Sequence, residues 1–368
     1  MIRNFKFNKN PSISGLYTVQ TSNIYKSIWA YLGRFKSKIY VKDTLNNQII
    51  KNKNLIEKKS EDISYLIKQS EEFFNSSLTA SISIKPLIIY YGILGLAKAL
   101  IISGDNNFTL EKFIDKNHGL SVKPIDDNEK EKKARFSNSL IEEFCYIKRD
   151  GIYPLFRSCY CENKISHNTK ISFKMLLSLI GENWQKYFDF FKECPNVLEC
   201  WKPVNGGVKT LNDSKQLFNI DKLINNYYLS FFKKNKETQE EALFRIFPNL
   251  NNNYQKYGES SYITKNDVFS LDYVIYVTET EDQKFFAFIQ PFSEFNLTDF
   301  DVYFLIFFIL SNLCRYYQDK WFKIINYIDH YEFFLIENIF EIAQYKFPLL
   351  ILRELENKDF VFIKNTNF

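Results

Sequence analysis

The segment 86–102 constrains the fold of this chain more than any other part of the sequence. It reads PLIIYYGILGLAKALII, carries a single charge, and is followed by Ser103-Gly104-Asp105, where a helix would stop. Proline at its start suits the first turn of a helix. Apolar side chains cover nearly the whole circumference of such a helix. We therefore predict a central helix that is buried on all sides.

Three residues in this predicted helix have a more specific meaning. Gly92 and Gly95 each cost about 1 kcal/mol of helix propensity relative to alanine. We expect them to be there because a neighbouring helix approaches closely. Lys98 is the only charge of the segment. It must extend to solvent, pair with an acid or take part in function, and it is a candidate binding residue.

The composition indicates a globular protein with an aromatic core. Hydrophobic residues make up 45% and charged residues 25%, which argues against wholesale disorder. Aromatic residues reach 18%, with 37 Phe and 24 Tyr, so rings must form much of the core. Apolar residues at helical spacing predict helices over 24–32, 60–74, 171–191, 221–234, 237–247, 298–318, 333–345 and 347–356.

A turn signal predicts a β-hairpin among these helices. Asp150-Gly151 separates the apolar runs 144–148 and 152–157, and Asp-Gly between such runs is a strong hairpin signal. Further strands are predicted over 38–42 and, as a second hairpin, over 272–278 and 284–290. The predicted fold class is mainly α with small β-hairpins (α+β).

The chain is predicted to have four regions. The segment Pro203–Gly207 is the best linker candidate, and no internal repeat of fixed period is present. The regions are a basic N-terminal region (1–79), a helical core with a hairpin (80–205), a helical and Asn-rich insertion (206–262), and a hairpin with C-terminal helices that pack on the core (263–368).

The positive charge is concentrated at the N-terminus. Residues 1–60 contain 12 Lys and Arg and 2 acidic residues, a net of +10, so the remainder carries −5 of the total +5. Such a region can contact the phosphates of a nucleic acid or dock on an acidic neighbour. It can also be a plain solvated surface. Arg34, Lys36 and Lys38 are its candidate binding residues.

The first residues, the longest apolar run and the cysteines together predict a cytoplasmic protein. The first ten residues lack the apolar stretch of a signal peptide. The most apolar run, 302–314, is shorter than the roughly 20 residues that span a bilayer, so we expect no membrane association. The Cys159-x-Cys161-x5-His167 pattern, with Cys194 and Cys200, could bind zinc. Cys-x-Cys is unusual for that role, so we expect reduced, buried thiols and no metal or cofactor.

Common catalytic motifs are absent from the sequence. It contains no phosphate-binding loop of the GxxxxGK[ST] type, no GxGxxG, no HExxH and no GxSxG. This removes the usual nucleotide, dinucleotide, metalloprotease and serine-hydrolase interpretations without excluding an enzyme.

Several separated segments resemble known families. The helix containing Tyr90-Tyr91 and Ala97-Lys98-Ala99-Leu100 is similar to a helix found in many HEPN domains. The chain more closely resembles the bacterial YaaC-like family. There the same helix follows Lys-Pro-Leu and precedes His-Gly-Leu. The corresponding segments here are 85–87 and 118–120, and further similar segments are 149–151, 176–180, 309–316 and 347–355, so that the resemblance covers about 80–356.

These resemblances imply a fold more than a reaction. The YaaC-like resemblance implies no particular activity, and the HEPN-like one implies a helical core and a ribonuclease of toxin–antitoxin or anti-phage systems. HEPN chemistry uses an Arg and a His four to six residues apart on one helix. Neither His118, His167 nor His330 has this spacing. His118 and Arg315 remain as candidate catalytic residues if they meet in space.

Each of these two residues also has a plain structural interpretation. Arg315 follows a very apolar helix and can cap its C-terminus or pair with an acid, instead of binding an anion. His118 can simply donate to a backbone carbonyl. Arg149 and Arg157, on either side of the predicted turn, complete the candidate binding residues.

Two functions are therefore carried forward. The first is a YaaC-like helical protein that acts by binding, as a component of a prokaryotic anti-phage defence or stress system, with a protein partner encoded nearby. The alternative is a divergent, metal-independent HEPN-like ribonuclease or toxin, whose basic N-terminal region contacts RNA. The oligomeric state stays open.

Overall fold

The predicted central helix is present, and the protein is mostly helical with small antiparallel sheets. The structure is a computed structural model. It describes residues 16–46, 52–105, 108–122, 139–161, 164–193, 195–202, 217–219, 236–246, 254–256, 261–264, 283–288, 297–327 and 331–364.

The helices of the described residues are α1 (Ile24–Leu32), α2 (Lys38–Asn46), α3 (Lys53–Thr79), α4 (Lys85–Gly104), α5 (Ile152–Tyr160), α6 (Phe173–Ser178), α7 (Trp184–Phe191), α8 (Gln239–Ile246), α9 (Asp299–Tyr316), α10 (Gln318–Ile325), α11 (Phe333–Ile336) and α12 (Ile339–Glu356). The strands are β1 (Leu16–Thr21), β2 (Leu120–Ser121), β3 (Phe144–Ile147), β4 (Lys170–Ser172), β5 (Val197–Lys202), β6 (Leu217–Asn219), β7 (Tyr254–Lys256), β8 (Ser261–Thr264), β9 (Gln283–Phe288) and β10 (Asp359–Lys364).

The chain forms two compact units. One contains the described residues within 16–18, 23–176 and 300–360, and the other those within 19–22, 177–299 and 361–364. The second unit contains a five-stranded antiparallel sheet in the order β7-β8-β6-β5-β9, and β1 pairs with β10. The four-region division remains a prediction.

Helix α4 packs closely on α3, as its glycines predicted. A Cβ on Gly92 would lie 2.8 Å from the ring of Phe74, and a Cβ on Gly95 would lie 2.3 Å from Oγ of Ser70. Real Cβ atoms are not found at such distances, so the two helices can pack this way only because both positions lack side chains.

The predicted strand at 38–42 is wrong, because this segment belongs to α2. Val41 and Leu45 are buried and lie four residues apart, which is the spacing of one helical turn. A five-residue segment with weak alternation does not distinguish the two periods.

The first predicted hairpin is half correct. The strand at 144–148 is present as β3, which pairs with β2 and β4, but the return strand at 152–157 is the helix α5. Buried residues recur along it at helical spacing, with Ile152, Tyr153, Phe156, Arg157, Cys159 and Tyr160 on the buried side. A short apolar run after a turn suits either element, and here the helical face meets the core.

Two other helix predictions have wrong boundaries. The helix predicted at 171–191 begins only at Phe173, because 170–172 form β4. It is also interrupted before α7, where Ile180 and Asn183 donate their backbone N–H groups to carbonyls three residues earlier in a tight turn. The break predicted before 347 is absent, and α12 continues through Pro348. Proline cannot donate the backbone hydrogen bond of a helix interior, so the sequence predicts a helix start here rather than an internal position.

The helices predicted at 24–32 and 237–247 are confirmed, whereas some other sequence-based predictions fall outside the described residues. Asn23 caps α1 by accepting from the backbone N–H of Lys26 at 2.9 Å, and α8 lies within the predicted helix at 237–247. The strand predicted at 284–290 appears as β9 and pairs with β5. The linker at 203–207, the helix at 221–234 and the strand at 272–278 fall outside the described residues.

The aromatic core predicted from composition is confirmed in the first unit. The ring of Phe156 contacts Phe300, Phe304 and Phe347, with centroids 5.3 to 6.0 Å apart. These three residues come from α9 and α12, so one ring of α5 joins the C-terminal helices.

One helix of the described residues is long and apolar enough to cross a membrane. It is α4, most of which is buried inside the protein. A buried core helix passes the same test of length and composition, so the finding is compatible with a soluble protein.

Candidate anion-binding site

His118 lies between the central helix and α9. Its Nδ1 is 3.0 Å from the hydroxyl oxygen of Tyr90, and its ring centroid is 6.0 Å from that of Phe308. Burial, and after it the positive charges of Arg315, Lys98 and Lys148 in that order, together lower the pKa of His118 to about 4. His118 is therefore neutral at pH 7. Below, the cation cluster means Lys98, Lys148 and Arg315 around His118.

Two interlocked loops hold His118 in place. Gly119 and Gly151 have φ angles of +78° and +129°, and a Cβ on Gly151 would lie 2.4 Å from the Cα of Gly119. The His118 carbonyl accepts from the backbone N–H of Tyr153 at 2.9 Å, in the first turn of α5. The glycines of His-Gly-Leu and Arg-Asp-Gly thus allow the two backbones to cross.

Arg315 is brought to the same place by α9. Phe308, which contacts His118 and Tyr90, lies two helical turns before Arg315 and so on the same side of the helix. Nε of Arg315 donates to the carbonyl of Ser311 at 3.2 Å, and the guanidinium lies over the ring of Tyr316 at 4.9 Å. These contacts fix the base of the side chain.

The end of α9 is also tied to the start of α4. The carbonyl of Ser83 accepts from the indole N–H of Trp321 at 3.0 Å and from the thiol of Cys314 at 2.9 Å. The helix that carries Arg315 is therefore anchored just before the helix that carries Tyr90 and Lys98.

Lys98 and Lys148 contribute the other two charges. The ammonium of Lys98 lies 5.4 Å from the ring centroid of Phe113, and burial lowers the pKa of Lys98. The backbone N–H of Lys148 donates to the carbonyl of Gly119 at 3.0 Å, directly beside His118. Within the described part of the chain, none of the three cations of the cluster forms an ion pair.

This arrangement suits an anion. Like charges that gather without a counter-charge cost free energy, and a bound anion would offset that cost. Arginine and lysine offer donors to oxyanions, and neutral imidazole offers one N–H. Tyr90 and Lys148 were not among the predicted site residues. The Tyr-Tyr of the central helix and the lysine before Arg149 were visible, but only the fold brings them to His118.

Arg157 has a different environment from the cation cluster. It is 3% exposed and pairs with Asp301, which is fully buried. The hydroxyls of Tyr153 and Tyr160 each donate to Oδ1 of Asp301 at 2.7 Å. These contacts join α5 to α9, and they occupy the guanidinium that the sequence offered as a binding group.

The remaining candidate residues lie on the surface. Lys36 pairs with Glu71 of α3 at 2.5 Å, and Lys38 pairs with Glu61 of the same helix. Arg34 lies over the ring of Tyr31 at 4.7 Å, and Arg149 is exposed. Two lysines of the basic N-terminal region thus pair with glutamates of α3 in the same chain.

The considered zinc pattern lies only partly within the described residues. Cys159 is buried, Cys161 is half-buried and accepts from Arg157 at 3.4 Å, and the side chains of Cys194 and Cys200 lie outside the described residues. Among the residues that the structure describes, no group of three His, Cys, Asp or Glu side chains could hold a metal ion.

The fold and the cation cluster define a mostly helical protein with hydrogen-bond donors gathered around a half-buried, neutral histidine. A family model described as YaaC-like Protein matches residues 31–355. The match covers most of the chain, and the chain therefore belongs to the YaaC-like family. Comparisons with curated proteins and with solved structures find no significant match.

Proposed function

We propose that this YaaC-like protein acts by binding, and that the cation cluster binds an oxyanion of the sulfate or phosphate type. The observation that carries the proposal is the set of three cations, none in an ion pair within the described residues, around His118. The cluster supplies charge and N–H donors, and a tetrahedral oxyanion supplies acceptors in several directions.

The titration of His118 favours binding over acid–base catalysis. A general base works best when its pKa is near the operating pH, because it must be deprotonated and still basic. A pKa of about 4 makes His118 a weak base at pH 7. As a neutral donor it fits a binding site better.

The wider role is proposed from the sequence resemblance. On this proposal the protein is a component of a prokaryotic anti-phage defence or stress system with a protein partner encoded nearby, and the cytoplasmic location is proposed from its cysteines. An oxyanion site suits such a role because phosphate groups occur on nucleotides and on nucleic acids alike.

The proposal predicts that Arg315→Gln weakens sulfate binding by about 10- to 100-fold, since a hydrogen bond to a charged group contributes about 1.5–3 kcal/mol. Isothermal titration calorimetry of the full chain at pH 7.5 and constant ionic strength measures this. Lys68→Gln is the matched control, because it removes an exposed charge of α3 that is not among the charges acting on His118. Equal sulfate affinity for both variants would contradict the assignment.

The ribonuclease alternative retains one supporting observation, namely that the charge of Arg315 acts on His118 although 197 residues separate them in sequence. In a HEPN-like core without a metal, His118 would accept the proton of an RNA 2′-OH and Arg315 would stabilise the phosphate, while the basic N-terminal region contacted RNA. Total RNA and growth are compared on expression of wild type, His118→Ala and Arg315→Ala. If the protein acts by binding, RNA integrity and growth should be the same for all three proteins. Loss of RNA with the wild type alone would instead show that the protein cleaves RNA.

A further inference from the structure

The hydroxyl of Tyr90 has a single hydrogen-bond partner among the described residues, namely His118. This bond determines which ring nitrogen of His118 carries the proton. Tyr90 is fully buried, and its oxygen lies 3.0 Å from Nδ1 of His118. A buried O–H that donates to nothing costs about 1–3 kcal/mol. The bond therefore forms with Tyr90 as donor, and Nδ1 must be the bare, accepting nitrogen.

We propose that Tyr90 is a positioning residue that holds His118 as the Nε2–H tautomer, so that the imidazole offers the cation cluster a donor and never an acceptor. The use of that donor rests on the proposed oxyanion binding, whereas the tautomer itself does not. The reverse tautomer would place a proton on Nδ1 and force Tyr90 to accept. Its own O–H would then be left without a partner.

Among the described residues, every charged group that acts on His118 works in the same direction. Lys98 comes from α4, Lys148 from the end of β3 and Arg315 from α9, and each disfavours a second proton on the ring. Tyr90 is itself kept neutral, since burial raises its pKa and the positive charge of Arg315 does not cancel that effect. A neutral donor at Nδ1 and three cations thus specify one protonation state.

Tyr90→Phe keeps the buried ring and removes only the hydroxyl. We expect the two neutral tautomers to become mixed and the pKa of His118 to rise, because protonating Nδ1 no longer strands a tyrosine O–H. Sulfate affinity at pH 7.5 should fall about two- to threefold, in proportion to the lost fraction of the Nε2–H form. Proton–nitrogen NMR of the full chain labelled at histidine measures tautomer and pKa, and His118→Gln assigns the signal.

Tyr91→Phe is the control, because its ring stacks on Phe73 at 5.7 Å and its hydroxyl is not bonded to His118. Its tautomer ratio should equal that of wild type. An Nδ1–H tautomer in wild type, or an unchanged ratio in Tyr90→Phe, would overturn the inference. The spectra are recorded without anion, so a failure of sulfate to bind would contradict the proposed function and leave the tautomer result standing.

Discussion

Asp301→Asn should lower the free energy of unfolding by about 3–5 kcal/mol, the cost of breaking a buried ion pair from one side. Asp301 is fully buried, pairs with Arg157 and accepts from Tyr153 and Tyr160 at 2.7 Å each. Asparagine keeps the shape of the side chain but removes the buried carboxylate charge that pairs with the guanidinium. Chemical denaturation followed by circular dichroism measures the change.

Glu61→Gln is the matched control for this prediction. It also removes one carboxylate charge from an ion pair, with Lys38, but both partners are about half exposed. Solvent already screens such a pair, so the effect should be much smaller. If Asp301→Asn cost no more stability than Glu61→Gln, the buried network would not hold α5 against α9.

Gly151→Ala should destabilise the protein by about 3 kcal/mol or more and displace His118. The residue has a φ of +129°, which alanine adopts only under strain, and its Cβ would lie 2.4 Å from backbone atoms of Gly119. Backbone cannot rotate away as a flexible side chain can. Because the loop of Gly119 carries His118, we expect sulfate binding to be lost together with stability.

Gly33→Ala separates this effect from a general intolerance of alanine. Gly33 has a φ of −57°, and a Cβ there would meet only the flexible end of Lys36 at 3.2 Å. Its stability should stay close to that of wild type. A Gly151→Ala protein that unfolds like Gly33→Ala and still binds sulfate would show that the two loops need not interlock.

The predictable part of the fold is the part in which local pattern and packing agree. The central helix, its two glycines and the Asn23 cap follow from spacing and from the chemistry of single residues. The segments at 38–42 and 152–157 do not, because short apolar runs suit a strand or a helix equally well. Their helical form is decided by neighbours distant in sequence, such as α3 for the first.

The site could be predicted only as separate residues. His118 and Arg315 were candidates because they are polar groups at the ends of apolar or aromatic segments. Their proximity depends on how α9 packs beside α4, which no local spacing encodes. For the same reason, the partner of Arg157 could not be predicted, since Asp301 lies 144 residues further along the chain.

The central claim is that the cation cluster holds an oxyanion, and an anomalous diffraction experiment with selenate tests it most directly. Selenate has the shape and charge of sulfate and scatters anomalously, so a crystal of the full chain soaked in it reports where the anion sits. We predict a peak within hydrogen-bonding distance of the Arg315 guanidinium and of Nε2 of His118. Selenate peaks elsewhere, with none at the cluster, would contradict the claim.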